Sequence, residues 1–156
     1  MAFRIYVDTS VIGGCLDEEF SVDSRRLFAA ARRGELILLV SDIVVRELQG
    51  APAKVREALT SLPPSAVESV SITEEVDALR DRYLEAGVVG PRSLDDAAHV
   101  AAATVARADA IVSWNFRHIV QLERIKGYNT VNLLHGYGML TILSPREVNS
   151  DATDGP

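Results

Sequence analysis

Cysteine is almost absent from this 156-residue chain, in which Cys15 is the only one. A single thiol cannot form an internal disulfide, and it is too little for a zinc site built from cysteines. No apolar stretch reaches the roughly 18 residues that a membrane span requires. The N-terminus lacks a basic region followed by an apolar core and a cleavage site, so we expect no secretion signal. These absences predict a soluble, cytoplasmic protein without a membrane partner.

Positive charge is also in short supply, with 16 Lys and Arg against 22 Asp and Glu and a net charge of −6. This balance argues against a protein that grips nucleic acid through a broad basic face. It leaves open a small acidic pocket that holds divalent cations, because bound metal supplies the positive charge that phosphate needs.

The remaining composition is that of a globular domain, with 47% hydrophobic and 24% charged residues. The length allows one compact domain, which we place at residues 1–148. The last residues, NSDATDGP at 149–156, are small and polar and predict a flexible C-terminal tail.

Apolar runs of strand length alternate with segments of helical periodicity. The predicted strands lie at 3–7, 36–40, 66–72, 110–113 and 139–143, and the predicted helices at 21–34, 41–50, 53–62, 73–87 and 93–108. This alternation predicts an α/β fold with right-handed crossovers, a mainly parallel sheet and helices on both faces.

Two acids follow the first two predicted strands. Asp8 ends the first strand in RIYVDTSVIGG, and ligands of open parallel sheets collect beyond such carboxyl ends. A cap for the next helix, made by Asp8 or Ser10, explains the same DTS segment equally well. Glu47 follows the second strand in SDIVVRE, where it could lean toward the same sheet edge or remain a solvated helix residue.

A third acidic segment, SLDDAAHVAAA, opens the alanine-rich helix. Ser93 and Asp96 fit a capping box, which would explain this acid without any metal. Adjacent acids point about 100° apart on a helix, so only one of Asp95 and Asp96 can share a given pocket. His99 lies on the same face as Asp96, but a lone histidine is more often packed or hydrogen-bonded, and we leave it out of the candidate ligands.

The segment IVSWNFRHI repeats the opening pattern of a strand followed by a hydroxyl and a polar residue, here Ser113 and Asn115. Trp114 and Phe116 can anchor the turn in the core. Taken in order, YVDTSV, SDIVVREL and LDDAAHVAAATVARADAIVSWNFRHI closely resemble the PIN-domain family, the nucleases that include the VapC-type toxins of toxin–antitoxin pairs. The resemblance covers residues 3 to about 145.

The resemblance implies a three-layer α/β/α sandwich with a mainly parallel sheet of four to five strands. It also implies a metal-dependent ribonuclease that is the toxin of a type II toxin–antitoxin pair. Its candidate catalytic residues are Asp8, Glu47, Asp96 and Asn115; the first three would bind Mg²⁺ or Mn²⁺, and Thr9, Ser10 and Ser113 would orient the carboxylates. The ion would activate water for attack on an RNA phosphodiester, leaving a 5′-phosphate and a 3′-hydroxyl.

Further expectations concern partners. Arg46 and Arg117 lie nearest the predicted pocket and are the candidate RNA contacts. An antitoxin protein and a homodimer are implied by the resemblance alone. Asn115 stands where many family members carry a fourth acid, which removes one negative charge and leaves the number of ions open.

Two alternatives compete with the nuclease interpretation. An aspartyl-phosphate phosphatase also begins with a strand and an aspartate, but it needs a second acid two residues later, where this chain has Ser10. A catalytically weak PIN-like binding or assembly module is the stronger alternative, because Asn115 and the acidic composition both favour it.

Overall fold

The structure is a computed structural model that describes residues 2–153. Its strands are β1 (Phe3–Val7), β2 (Leu36–Ser41), β3 (Val67–Val70), β4 (Ala110–Val112) and β5 (Thr141–Leu143). Its helices are α1 (Thr9–Gly14), α2 (Ser21–Arg32), α3 (Asp42–Gln49), α4 (Ala53–Thr60), α5 (Glu74–Glu85), α6 (Leu94–Val105), α7 (Leu122–Leu134) and α8 (Pro145–Thr153). Short 3₁₀ turns precede β3 and α6.

The five strands form one parallel sheet in the order β3-β2-β1-β4-β5. Strand β1 lies at its centre, where Tyr6 pairs with Leu39 of β2 and with Ile111 of β4. All three of these side chains are buried, as expected for a parallel sheet that is covered on both faces. The predicted parallel sheet of four to five strands is confirmed.

Helices cover both faces of the sheet and complete three layers. The first face packs against α1, α2, α3 and α4, with α8 alongside α2. The second face packs against α5, α6 and α7. The strands supply the two cores alternately, because Ile5 and Val7 join the first and Tyr6 joins the second. The predicted three-layer α/β/α architecture is therefore confirmed.

Helix α6 shows why an alanine-rich sequence suits this position. Every residue from 97 to 104 is buried, so the helix has almost no solvent face. Alanine has the highest helix propensity, and its small side chain allows close approach to the sheet. Two other predicted helices end at glycines with positive φ, Gly34 at 81° and Gly87 at 72°, a conformation that side chains disfavour.

Helices α1, α7 and α8 were not predicted. In α7 the usual pattern is reversed, because Asn129 and Asn132 are buried while Leu122 and Leu134 are exposed. The side chain of Asn129 donates a hydrogen bond to the backbone carbonyl of Leu140 at 3.0 Å and accepts one from the backbone N–H of Leu140 at 2.6 Å. Side chains that replace backbone partners in this way remove the apolar periodicity from which a helix is predicted.

The predicted domain at 1–148 and flexible tail at 149–156 stay predictions. Helix α8 continues to Thr153, and Asn149 is buried and donates hydrogen bonds to the backbone carbonyl and carboxylate of Asp23, at 2.9 and 3.0 Å. The remainder of the predicted tail, 154–156, lies outside the described residues. No helix within 2–153 is both long and apolar enough to cross a lipid bilayer.

Candidate active site

Asp8 lies at the carboxyl end of the central strand and is 4% exposed. Its Oδ1 accepts a hydrogen bond from Ser10 Oγ at 2.6 Å and caps α1 through the backbone N–H of Val11. Its Oδ2 accepts a hydrogen bond from Ser113 Oγ, also at 2.6 Å. The helix-capping alternative is therefore found in the structure, and two hydroxyls fix the carboxylate in addition.

Glu47 is held by groups from two other elements. Its Oε1 accepts a hydrogen bond from Thr9 Oγ1 at 3.0 Å and lies 2.8 Å from His99 Nε2. The hydrogen bond from His99 is the main reason that the pKa of Glu47 lies below its ordinary value. Its Oε2 accepts no hydrogen bond within residues 2–153.

His99 belongs to a buried chain of hydrogen bonds behind Glu47. Because an ionised carboxylate only accepts, His99 Nε2 donates to Glu47 Oε1 at 2.8 Å. On the other side of the ring, Nδ1 is hydrogen-bonded to the Tyr6 hydroxyl at 2.7 Å, and that hydroxyl is hydrogen-bonded to Ser41 Oγ at 2.6 Å. Burial is the main reason that the pKa of Tyr6 is raised, so its hydroxyl stays protonated.

Asp96 has a different environment. It is half-buried on α6, and within the described part of the chain its carboxylate accepts no hydrogen bond. Burial is the main reason that the pKa of Asp96 is raised, and the charges of Asp8 and Glu47 raise it further, whereas His118 and His99 oppose the shift. The three carboxylates therefore occupy one electrostatic neighbourhood.

The predicted capping box of α6 is wrong. Ser93 occupies the N-cap position, but its side chain makes no capping hydrogen bond. Asp96 consequently receives no structural role from Ser93, and the explanation that would have made this acid purely structural is removed. Its neighbour Asp95 is exposed and forms an ion pair with Arg46 at 2.9 Å.

The donor chemistry fits a hard divalent cation. Asp8, Glu47 and Asp96 offer only carboxylate oxygens, the ligands that Mg²⁺ and Mn²⁺ prefer. The half-buried Asp96 carboxylate accepts no hydrogen bond from the described residues, and a bound cation would balance its charge. Among residues 2–153, however, no three His, Cys, Asp or Glu side chains are close enough together to form a metal-holding group. Binding would therefore require the carboxylates to draw closer around the ion.

Asn115 does not turn its amide oxygen toward these acids. Its Oδ1 accepts hydrogen bonds from the backbone N–H groups of Arg117 and His118, at 3.1 and 2.9 Å, which shapes the turn after β4. The backbone N–H of Asn115 donates a hydrogen bond to Ser113 Oγ at 2.9 Å. The amide thus performs a turn-forming task, and its catalytic role stays a prediction.

The two predicted RNA contacts differ. Arg46 is engaged by Asp95, although both side chains are more than half exposed, so this pair holds the arginine weakly. The Arg117 guanidinium makes no ion pair or hydrogen bond within the part of the chain that the structure describes. Of the two, Arg117 is the arginine that is free to meet a phosphate.

Sequence reasoning missed three groups around the site: His99, Tyr6 and His118. The spacing of Asp96 and His99 did place them on one helix face, but it could not show that His99 would face Glu47 from α3. Tyr6 looks like an ordinary strand residue until the fold sets it beside α6. His118 gave no signal beyond its position after the SWN segment.

No protein-family model matches the chain, and no curated protein matches its sequence. Solved structures are nevertheless similar. VapBC2 from Rickettsia felis, bound to a DNA fragment from its promoter, matches with a TM-score of 0.60 and 14% identity over 91% of this chain and 98% of that one. VapC20 from Mycobacterium tuberculosis, a Sarcin-Ricin loop cleaving toxin, matches with a TM-score of 0.51 and 18% identity over 69% of this chain and 86% of that one. At these identities the likeness shows the fold alone, and that fold is the PIN-domain fold of the VapC-type proteins.

Proposed function

We propose that this chain is a metal-dependent endoribonuclease of the cytoplasm, the toxin of a type II toxin–antitoxin pair. The observation that carries the proposal is the meeting of Asp8, Glu47 and Asp96, from three separate elements, in one electrostatic neighbourhood at the carboxyl edge of the sheet. Similarity of fold to VapC20, which cleaves the Sarcin-Ricin loop, supports an RNA substrate.

Each carboxylate has a defined task in this proposal. Ser10 and Ser113 hold the two oxygens of Asp8, so its orientation is set before a ligand arrives. His99 and Thr9 hold one oxygen of Glu47, and the other accepts no hydrogen bond from residues 2–153. Asp96 completes the oxygen set. Mg²⁺ or Mn²⁺, when bound by these acids, would supply an activated water and charge stabilisation at the phosphate.

Arg117 contributes the positive charge that the acidic surface otherwise lacks. Phosphate contacts position a nucleic acid without reading its bases, and an unpaired guanidinium on the turn that follows β4 suits this task. Arg46 would join it after releasing Asp95, which costs little because the pair is exposed.

Cleavage of single-stranded RNA by purified protein, in Mn²⁺ or Mg²⁺ and in EDTA, tests the proposal. Asp8→Asn and Glu47→Gln should each lower the rate by more than the roughly 10- to 100-fold that loss of a ligand's hydrogen-bonding partner costs. Asp109→Asn and Glu35→Gln are matched controls, because these acids adjoin strands at the opposite edge of the sheet. The controls should cleave like the wild type.

Undiminished metal-dependent cleavage in both Asp8→Asn and Glu47→Gln would place the chemistry elsewhere and contradict the proposal. Product ends add a second check, since attack by water should leave a 5′-phosphate and a 3′-hydroxyl. A cyclic 2′,3′-phosphate would indicate attack by the ribose hydroxyl instead.

A binding or assembly module is the second candidate. Two observations favour it: the absence of a compact metal-holding group within residues 2–153, and the use of the Asn115 amide to form a turn. A wild-type protein that neither binds Mn²⁺, by calorimetry, nor cleaves any RNA would favour this module over the nuclease.

We also propose an antitoxin partner and a homodimer. Support for the antitoxin comes from the fold shared with VapBC2, which was solved on promoter DNA. Light scattering should give twice the 16.9 kDa of one chain. Co-expression with the product of the adjacent gene should yield a complex that cleaves no RNA, and unchanged cleavage in that mixture would contradict the pairing.

A further inference from the structure

The turn that follows β4, residues 113–118, presents an aromatic ring to solvent. Phe116 is 50% exposed, although it meets the buried Trp114 edge to face, with ring centroids 6.1 Å apart at 65°. Trp114 is itself stacked on Phe20 at 4.3 Å and 20°. Phe116 is therefore in contact with the core through Trp114, while half of its surface is exposed to solvent.

Hydrogen bonds make this turn rigid. Ser10 Oγ accepts from the backbone N–H of Trp114 at 3.0 Å, and Trp114 Nε1 donates to Ser24 Oγ at 2.9 Å. The Asn115 amide oxygen fixes the two residues after Phe116. A ring on such a support loses little conformational freedom when a ligand covers it.

The turn also borders the candidate active site. Ser113, which opens it, bonds Asp8 directly at 2.6 Å. Three Cα–Cα steps separate Ser113 from Phe116, so at most about 11 Å lies between their backbones. Next along the chain comes Arg117, whose guanidinium makes no bond to the described residues. An open ring, an unpaired cation and the acidic site thus lie side by side.

We propose that Phe116 is the stacking platform for an unpaired nucleobase next to the cleaved phosphodiester, with Arg117 on a neighbouring phosphate. This inference rests on the proposed action on RNA. Aromatic side chains bind bases through their flat faces in single-stranded nucleic acid, where the bases are free to leave their neighbours. In a duplex the same faces are already stacked, so the platform selects single strands and loops over duplex RNA.

Binding without cleavage tests the platform. A labelled single-stranded RNA is titrated with wild type and variants in EDTA at low salt, and binding is followed by anisotropy. Phe116→Ala should weaken binding by roughly 5- to 150-fold, the range measured for one base–aromatic stack. Phe116→Tyr should restore it. Phe3→Ala removes a ring of similar exposure, 63%, at the other end of the sheet and should change nothing.

Three further readouts test the phosphate contact and separate stacking from a structural role. Arg117→Gln should lower the slope of log affinity against log salt by about one, as loss of one phosphate contact does. A duplex of the same sequence should bind wild type and Phe116→Ala equally. In Mn²⁺, Phe116→Ala should raise KM and keep kcat within about twofold, because a stack formed equally in ground and transition states affects binding alone.

The two proposals fail in different ways. Wild-type affinity of Phe116→Ala for single-stranded RNA would overturn the platform, even if the wild type cleaves RNA as proposed. Weakened binding by Phe116→Ala, together with no cleavage by any form, would keep the platform and overturn the nuclease.

Discussion

Gly14 is the last residue of the DTSVIGG segment, and replacing it with alanine should disturb the packing of Trp114 in the turn at 113–118. A Cβ at this position would lie 2.5 Å from Ser24 Oγ and 2.7 Å from Trp114 Nε1. Non-bonded contacts of this kind settle near about 3.5 Å, so the neighbours must move by about 1 Å. Those neighbours hydrogen-bond each other at 2.9 Å, and Ser24 also donates to the Val11 carbonyl at 2.8 Å.

The expected cost follows from three terms. Overpacking a rigid core costs about 1–3 kcal/mol, and loss of the bond between Ser24 and Trp114 adds about 1 kcal/mol. The higher helix propensity of alanine returns at most about 1 kcal/mol. Gly14→Ala should therefore lower the free energy of unfolding by about 2 kcal/mol, which corresponds to about 4–8 °C in Tm for a chain of this length.

Gly13→Ala is the matched control, because a Cβ there meets nothing within 4 Å and the residue lies in the same helix. Urea unfolding followed by fluorescence of Trp114, the only tryptophan, gives both free energies. Gly13→Ala should be neutral or up to about 1 kcal/mol more stable. Equal stability of the two variants would refute the close packing of Gly14 against Ser24 and Trp114.

Three further outcomes are expected. His99→Ala should lower Mn²⁺ affinity and cleavage by about 10- to 100-fold through loss of the group that orients Glu47, whereas normal Mn²⁺ binding in calorimetry would contradict this role. Asp96→Asn should raise the Tm of the metal-free protein at pH 7, because burial penalises the charged carboxylate and raises its pKa. This increase in Tm should become smaller at lower pH, where the wild-type carboxyl is protonated. A difference in Tm that does not change with pH would exclude this cause. The Cys15 thiol is 4% exposed, and burial raises its pKa to about 11. Thiol reagents at pH 8 should therefore modify Cys15 only as fast as the protein unfolds locally. Rapid labelling of the folded protein would contradict this burial.

The sheet and five of the helices could be predicted because their apolar patterns are local. Strand β2 is an unbroken apolar run, and α5 begins at a threonine whose hydroxyl accepts from Val76 N–H at 3.3 Å. Helices α1 and α7 escaped prediction for opposite reasons. Helix α1 is short and ends in two glycines. Helix α7 buries two asparagines, of which Asn129 bonds the backbone of Leu140 and Asn132 bonds Tyr83 of α5 and Thr104 of α6.

The candidate site likewise contains residues that a local sequence pattern indicates and contacts that only the folded chain reveals. Asp8, Glu47 and Asp96 are candidates because they lie in short segments that resemble a known family, and their catalytic role stays a prediction. The contact between His99 and Glu47 joins residues 52 positions apart, and no local pattern can reveal it. The sequence also could not show that the Asn115 amide oxygen accepts hydrogen bonds from the backbone of Arg117 and His118, because a polar residue after a strand has the same local pattern whichever group it faces.

The uneven supply of hydrogen-bond donors to the three acids indicates which of them would depend most on a cation in the proposed site. Asp8 receives two hydroxyls and a backbone N–H, and Glu47 receives a hydroxyl and an imidazole. Asp96 receives none from residues 2–153, although it is half-buried beside both other charges. A carboxylate in that position destabilises the folded chain unless something positive joins it. In the proposed site, the protein would therefore stabilise two of its acids by itself and leave the third to be compensated by the ion that the proposed chemistry needs.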